Sequence, residues 1–213
     1  MFQPDSDIQQ SSTLTAFLKD CGADSYEDLA NRANAEPDWF WDRIIDLAGI
    51  KFNRPYTQLR DISEGPESIK WAVDGALNLT ETCLDARIAE GLGDKTAIDW
   101  VGEDESRRSW TYSDLSAEAA RVASALARRG VKPGQAVGIY LPMIPEIEAA
   151  FLGIARLGAI AVPLFSGFAP PAIISRLNDA KAVAVLTADA TPRRGKPVWM
   201  EAALAEALEE VPS

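Results

Sequence analysis

The stretch from residue 135 to residue 188 constrains the fold most, because apolar strand-like segments alternate in it with amphipathic helical ones. Three segments, residues 135–141, 159–165 and 182–188, are apolar at almost every position. Strands of that kind are buried on both faces, as they are in a parallel sheet covered by helices. The order strand, helix, strand, helix, strand therefore predicts an α/β fold with a parallel βαβαβ unit and right-handed crossovers.

A β-hairpin and a long helix are predicted immediately before this unit. Residues 97–101 and 108–112 have strand character and flank an acidic turn at residues 102–105, whose side chains we expect to be solvated. We expect Ser113 to be the N-cap of the helix that follows, with Asp114 in the first turn. A shorter helix is predicted at residues 82–89.

The first eighty residues predict a helical appendage to the sheet domain. Residues 1–12 are polar and typical of a disordered start, whereas residues 12–49 carry apolar side chains at helical spacing. Residues 51–79 show no clear period, which predicts an irregular surface segment. We therefore expect two domains, residues 1–80 and residues 81–213, with the βαβαβ unit in the second.

Charge and composition exclude several classes of partner and site. The formal net charge of −11 lacks the electrostatic footprint of a nucleic-acid-binding protein and disfavours an anionic membrane surface. Without a secretory signal or an apolar run of bilayer length, the chain is expected to be cytoplasmic. The absence of histidine excludes a Ser-His-Asp triad and a histidine metal site.

A loop with aromatic residues follows the second strand of the unit, where parallel sheets bind ligands. It begins Phe165-Ser166-Gly167-Phe168, and its glycine would allow a ligand to approach the backbone closely. Either phenylalanine ring is a candidate contact for a base. The alternative is an ordinary strand-to-helix turn with a buried Phe. Ser166 is not expected to be a nucleophile, because no Gly-x-Ser-x-Gly elbow surrounds it.

A basic loop is predicted after the third strand, at residues 189–197. It places Arg193, Arg194 and Lys196 within four residues of an otherwise acidic chain. Arginine suits bidentate contacts with phosphate, so an anionic ligand is one interpretation. A solvated basic turn without a ligand is the other. Because the strands before both loops are expected to run parallel, the two loops should lie at the same edge of the sheet.

Several short stretches occur together in an order that one enzyme family shares. They are Trp-Ala-Val-Asp-Gly-Ala-Leu-Asn at 71–78, Cys-Leu-Asp at 83–85, Gly-Asp-Lys-Thr-Ala-Ile at 93–98, Trp-Thr-Tyr-Ser-Asp-Leu at 110–115, Ala-Arg-Leu-Gly-Ala at 155–159 and Arg-Leu-Asn-Asp-Ala at 176–180. As a set they resemble the acetyl- and short-chain acyl-CoA synthetases, a branch of the AMP-forming, adenylate-forming ligases. The resemblance covers roughly residues 12–213.

The resemblance implies an activity and a ligand. The family uses ATP to convert a carboxylate into an acyl-adenylate, releases pyrophosphate, and transfers the acyl group to the thiol of CoA. By this resemblance the first loop lines the nucleotide end of CoA and the second meets its phosphates; these residues are Phe165, Ser166, Gly167, Arg193, Arg194, Gly195 and Lys196. Ser166 stands where the family usually has glycine, and Lys196 where it has a forked arginine.

Other parts of the family's machinery have no counterpart in these 213 residues. They are the phosphate loop rich in serine, threonine and glycine, the acyl pocket, the ribose-binding aspartate and the C-terminal domain with its lysine. We therefore expect an N-terminal part of a synthetase that carries no catalytic residue, is inactive alone and has the missing remainder as its partner. ATP and magnesium would bind in that remainder. The alternative is a self-standing binding or interaction module with a synthetase-like fold.

Overall fold

The structure is a computed structural model in which residues 5–212 are described. The chain divides into two units, Met1–Leu77 and Asn78–Ser213. The two-domain assignment with its boundary after residue 80 stays a prediction.

Four helices and a short hairpin form the first unit. The helices are α1 (Ser6–Ser11), α2 (Thr13–Cys21), α3 (Tyr26–Ala35) and α4 (Pro37–Ala48). Phe17, Cys21 and Leu29 form the buried core between α2 and α3, and Phe40 of α4 packs against it. Burial raises the pKa of the Cys21 thiol, and the nearby Asp20 carboxylate adds to the shift.

Two parts of this unit correct the sequence-based expectation. The start predicted to be disordered contains α1, because the Asp5 carboxylate caps the helix by accepting the Ile8 N–H at 2.9 Å; residues 1–4 lie outside the described part. Residues 51–79, predicted to be irregular, contain strands β1 (Gln58–Asp61) and β2 (Lys70–Val73), which pair antiparallel. Strands of four residues are too short for a period of two to stand out in the sequence.

The second unit begins with two π-helical turns, Glu81–Asp85 and Ile88–Leu92, where a short helix was predicted. The predicted hairpin follows as β3 (Thr96–Val101) and β4 (Arg107–Thr111), which pair antiparallel. Helix α5 (Tyr112–Arg128) begins directly after it.

The N-cap of α5 is Thr111, so the expectation of a Ser113 cap was wrong. The Thr111 hydroxyl accepts the Asp114 N–H at 3.1 Å, and the Asp114 carboxylate accepts the Thr111 N–H at 3.0 Å. This reciprocal capping box needs an acidic residue three positions after the cap, which Thr111 has and Ser113 lacks.

A parallel three-stranded sheet forms the centre of this unit, which confirms the predicted βαβαβ order. Its strands are β5 (Ala136–Tyr140), β6 (Ile160–Pro163) and β7 (Ala184–Thr187), connected by α6 (Pro145–Arg156) and α7 (Pro170–Ala180), with β5 in the middle. Every residue of β5 is buried, as expected for a strand covered on both faces. Successive β5 side chains enter two separate cores: Tyr140 packs with Ile173 and Leu177, and Ile139 packs with Leu126 and Ile154.

The segment predicted to be a basic loop is the second hairpin of this unit. Strands β8 (Ala190–Arg193) and β9 (Lys196–Trp199) pair antiparallel and lead into helix α8 (Met200–Leu208). Arg194 and Gly195 form the two-residue turn, with φ of 54° and 73°. Two successive positive φ values give the primed turn that two-residue hairpins favour. The sequence did not predict these two strands, because each contains a proline, a residue that is depleted in strands.

Candidate ligand-binding site

Segments that follow the parallel strands meet around one cavity of about 300 Å³ at the carboxyl edge of the sheet. Its lining comprises residues 142–144 after β5, Phe165 and Ser166 after β6, residues 191–193 in β8, and residues 100–103 at the end of β3. Parallel sheets bind their ligands at this edge, beyond the carboxyl ends of the strands. The cavity is therefore the candidate site.

Tyr140 fixes the backbone of the loop between β6 and α7. Its hydroxyl, at the end of β5, donates to the carbonyl of Phe168 at 3.2 Å and to that of Ser166 at 3.4 Å. The side chain is 2% exposed, and burial raises the pKa of its hydroxyl above the ordinary value. Sequence reasoning missed Tyr140 because it reads as one more apolar position of a buried strand. The one feature of the sequence that could have indicated its role is the hydroxyl group on the last residue of this strand.

The two phenylalanines of this loop have different environments. Phe165 is 59% exposed and meets the Phe168 ring edge to face, with centroids 5.7 Å apart. Phe168 packs against the core and lies under the guanidinium of Arg176, whose carbon is 4.3 Å from the ring centroid. Phe165 is therefore the ring that the loop presents at the cavity, and Phe168 is a packing residue.

Arg193 connects the basic hairpin with the first loop. A Cβ atom added to Gly167 would lie 3.0 Å from Nη1 of Arg193 and 2.8 Å from Cε1 of Phe165. A side chain at residue 167 would thus displace the guanidinium or the ring. The two predicted loops come together at this point, although the second of them is a hairpin.

The basic residues of the hairpin face more than one space. Arg193 lines the 300 Å³ cavity, Gly195 and Lys196 line a neighbouring cavity of about 540 Å³, and all three cations border a third space of about 620 Å³. Arg193, Arg194 and Lys196 are exposed, and within residues 5–212 none of them forms an ion pair. An anionic ligand would find them free to bind, despite the negative net charge of the chain.

The turn between β3 and β4 is a wall of the site, which the sequence did not indicate. Trp100 and Glu103 line both the 300 Å³ and the 540 Å³ cavity, and Asp104 lines the larger one. The side chain and backbone N–H of Ser106 donate to the Asp104 carboxylate and hold its pKa below the usual range. The acidic side chains of this turn are exposed, as the sequence predicted, and the turn also borders the two cavities.

Within residues 5–212, no group of three or more cysteine and acidic side chains is arranged so that it could hold a metal ion. No described helix has both the length and the apolar character needed to cross a membrane. The two cysteines, Cys21 and Cys83, are free thiols.

Comparison with known proteins gives two family matches, one in each part of the chain. Residues 85–212 match the family described as AMP-binding enzyme, and residues 26–83 match the acetyl-coenzyme A synthetase N-terminus. An acetyl-coenzyme A synthetase from Rhodopirellula baltica is 36% identical over 219 residues, which cover 100% of this chain and 31% of the relative. One from Mycobacterium bovis is 40% identical over 191 residues, covering 89% and 29% respectively.

A solved structure shares the whole fold. The acetoacetyl-CoA synthetase from Streptomyces lividans superposes with a TM-score of 0.90 at 25% sequence identity, covering 99% of this chain and 33% of that one. The chain thus spans about 30% of the length of the relatives that it matches.

Proposed function

Because the chain belongs to the AMP-binding enzyme family, we propose that it serves an AMP-forming acetyl- or short-chain acyl-CoA synthetase. In the proposed reaction a carboxylate attacks ATP to give an acyl-adenylate and pyrophosphate. The CoA thiol then loses its proton and attacks the acyl carbonyl, and AMP leaves as the thioester forms. The role of these residues is to hold the nucleotide end of CoA, and none of them is assigned a catalytic step.

The proximity of the Arg193 guanidinium to Gly167 is the observation that supports this proposal. The nucleotide end of CoA presents an adenine, a 3′-phosphate on the ribose and a diphosphate, so its site needs cations beside a surface for the base. The guanidinium of Arg193 lies next to the loop that presents the Phe165 ring. One cavity edge thus combines a phosphate-binding group with an aromatic surface.

The remaining hairpin residues extend the cationic surface around the phosphates. Arg194 offers a second guanidinium fork, which matches phosphate geometry, whereas the ammonium group of Lys196 offers a point charge. Gly195 keeps the turn in its positive-φ conformation. Because all three cations are exposed, we expect binding to weaken as the salt concentration rises.

In the protein as a whole, we assign ATP, magnesium and the carboxylate to other residues. The described part of the chain offers no acidic cluster for a metal, and the sequence has no counterpart of the family's phosphate loop. The proposed partner is therefore the remainder of the synthetase, and these residues alone are not expected to form an adenylate. Two free thiols also favour a cytoplasmic location.

The test compares CoA with 3′-dephospho-CoA by calorimetric titration. We expect the chain to bind CoA about tenfold more tightly, because only CoA offers the 3′-phosphate to Arg193. Arg193→Ala should weaken CoA binding and abolish the difference. Arg128→Ala is the matched control, since Arg128 is exposed at the end of α5 and forms no ion pair within residues 5–212.

Equal affinity for both ligands in all three proteins would contradict the assignment of Arg193 to the 3′-phosphate. Absence of CoA binding would contradict the proposed role altogether and would favour an interaction module with this fold.

A further inference from the structure

Trp100 is the aromatic side chain shared by the two cavities beside the basic hairpin. It lines the 300 Å³ cavity together with Phe165 and Arg193, and the 540 Å³ cavity together with Lys196 and Pro197. The two cavities also share Gly102, Glu103, Thr191 and Pro192, so a ligand that extends from the first into the second lies beside the indole ring.

The indole ring is fixed before any ligand arrives. Its Nε1–H donates to the carbonyl of Met143 at 2.6 Å, and a Cβ atom on Gly102 would lie 2.8 Å from its Cη2 atom. The Arg108 guanidinium lies 5.8 Å from the ring centroid. A half-buried ring held in this way loses little conformational freedom on binding, which favours affinity.

The charges around the 540 Å³ cavity are arranged with opposite signs on its two walls. Glu103 and Asp104 lie on the wall formed by the β3–β4 turn, and Lys196 lies on the wall formed by the β8–β9 hairpin. Phosphate groups are repelled by the acidic wall and attracted by the basic one. An uncharged ring with an amino group suits the acidic wall, because a carboxylate accepts a hydrogen bond from that amino group.

We infer that Trp100, which lines the 300 Å³ cavity with Phe165, is a second aromatic contact on which the adenine of the CoA nucleotide stacks, with the base towards Glu103 and the phosphates towards Arg193 and Lys196. The inference rests on the proposed function, because CoA is the ligand that supplies both the base and the phosphates. Stacking on an aromatic side chain tolerates any base, so the charged walls set the orientation.

The first experiment separates the two ends of CoA. Adenosine 3′,5′-bisphosphate carries the base and 4′-phosphopantetheine carries the other end, and each is titrated against wild type, Trp100→Phe and Trp100→Leu. We expect Trp100→Leu to weaken binding of the bisphosphate on the order of tenfold. Trp100→Phe should retain most of the affinity, because phenylalanine keeps an aromatic ring. It loses only the N–H group that donates to the Met143 carbonyl. Binding of 4′-phosphopantetheine should be unchanged in both variants.

The second experiment reads the stacking directly from tryptophan fluorescence. Adenosine 3′,5′-bisphosphate should quench the tryptophan fluorescence of the wild-type protein, and this quenching should be absent from Trp100→Phe. Trp110→Phe is the matched control, because Trp110 lies on the same hairpin, also flanks Arg108, and packs against the core of α5 and α6. Its substitution should leave the quenching in place. Circular dichroism on each variant verifies that the unit is folded.

Three outcomes would overturn the inference. Equal weakening by Trp100→Phe and Trp100→Leu would mean that the indole N–H positions Met143 and that the ring contacts no base. If both Trp100 variants bind the bisphosphate with wild-type affinity while Arg193→Ala binds it more weakly, the role of Trp100 is contradicted. The proposed function is not contradicted by that result. Wild-type protein that binds neither CoA nor the bisphosphate would contradict both.

Discussion

The Tyr140 hydroxyl, at the end of the central strand, donates a hydrogen bond to the carbonyl of Phe168 at 3.2 Å. This contact ties the loop after β6 to the neighbouring strand β5 from within the core. The ring of Phe165 and the backbone at Gly167 are thereby held at the rim of the cavity. A buried residue with no exposed surface at the site thus determines the position of the residues that face a ligand.

Tyr140→Phe should destabilise the chain by about 1 kcal/mol, because it leaves two partly buried carbonyls without their donor. Urea unfolding measures this difference. Tyr112→Phe is the matched control, since no hydrogen bond joins the Tyr112 hydroxyl to the described residues, and it should change the free energy of unfolding by less than about 0.5 kcal/mol. Equal effects of the two substitutions would contradict the role of the Tyr140 hydroxyl.

Thr111→Ala should cost about 1 kcal/mol of stability, because the first turn of α5 loses its side-chain cap. Ser113→Ala removes the hydroxyl that the sequence had favoured as the cap, yet Ser113 is exposed and should tolerate the change. Thermal or urea unfolding of the two variants decides between them. A larger loss for Ser113→Ala would show that the helix begins elsewhere.

The other half of the capping box predicts a pH dependence. Hydrogen bonds from the Thr111 N–H and hydroxyl hold the pKa of Asp114 below its ordinary value. Its contribution to stability is therefore complete above the unfolded-state pKa and is lost as the pH falls through the lowered folded-state pKa. Asp114→Ala should have a lower free energy of unfolding than wild type at pH 7. The difference between the two free energies should disappear in strong acid. A constant difference down to pH 2 would contradict this linkage.

Lys196→Arg should tighten CoA binding severalfold, because a guanidinium fork binds phosphate with two hydrogen bonds where the ammonium offers a point charge. Lys196→Gln should weaken binding, and both effects should shrink at high salt. Lys132→Arg makes the same exchange at an exposed position of another turn and serves as the control. Unchanged affinity in both Lys196 variants would remove Lys196 from the proposed site.

Periodicity predicted the centre of this fold because burial there leaves a clear pattern in the sequence. The β5 strand is apolar throughout and buried throughout, and the helices around it begin at prolines that suit a first turn. The pairing of β1 with β2 and of β8 with β9 was missed, since these four-residue strands mix polar with apolar residues, whereas β6 and β7 of the same length lie in apolar runs.

The site was harder to predict than the sheet that supports it. The adjacency of Arg193 to Gly167 followed from parallel strands that place their loops at one edge. The positions of Trp100 and Glu103 at the cavity could not be predicted in this way, because they belong to a hairpin outside the parallel sheet. Tyr140 was missed because a hydroxyl at the end of a buried strand does not change its apolar pattern.

Backbone amide chemical shifts, followed as CoA is added, show directly which residues of the chain contact CoA. We expect the largest changes in chemical shift on residues 165–167 and 193–196, and smaller changes at residues 193–196 when 3′-dephospho-CoA replaces CoA. Largest changes within Met1–Leu77, or none on either segment, would contradict the assignment of this cavity edge to CoA.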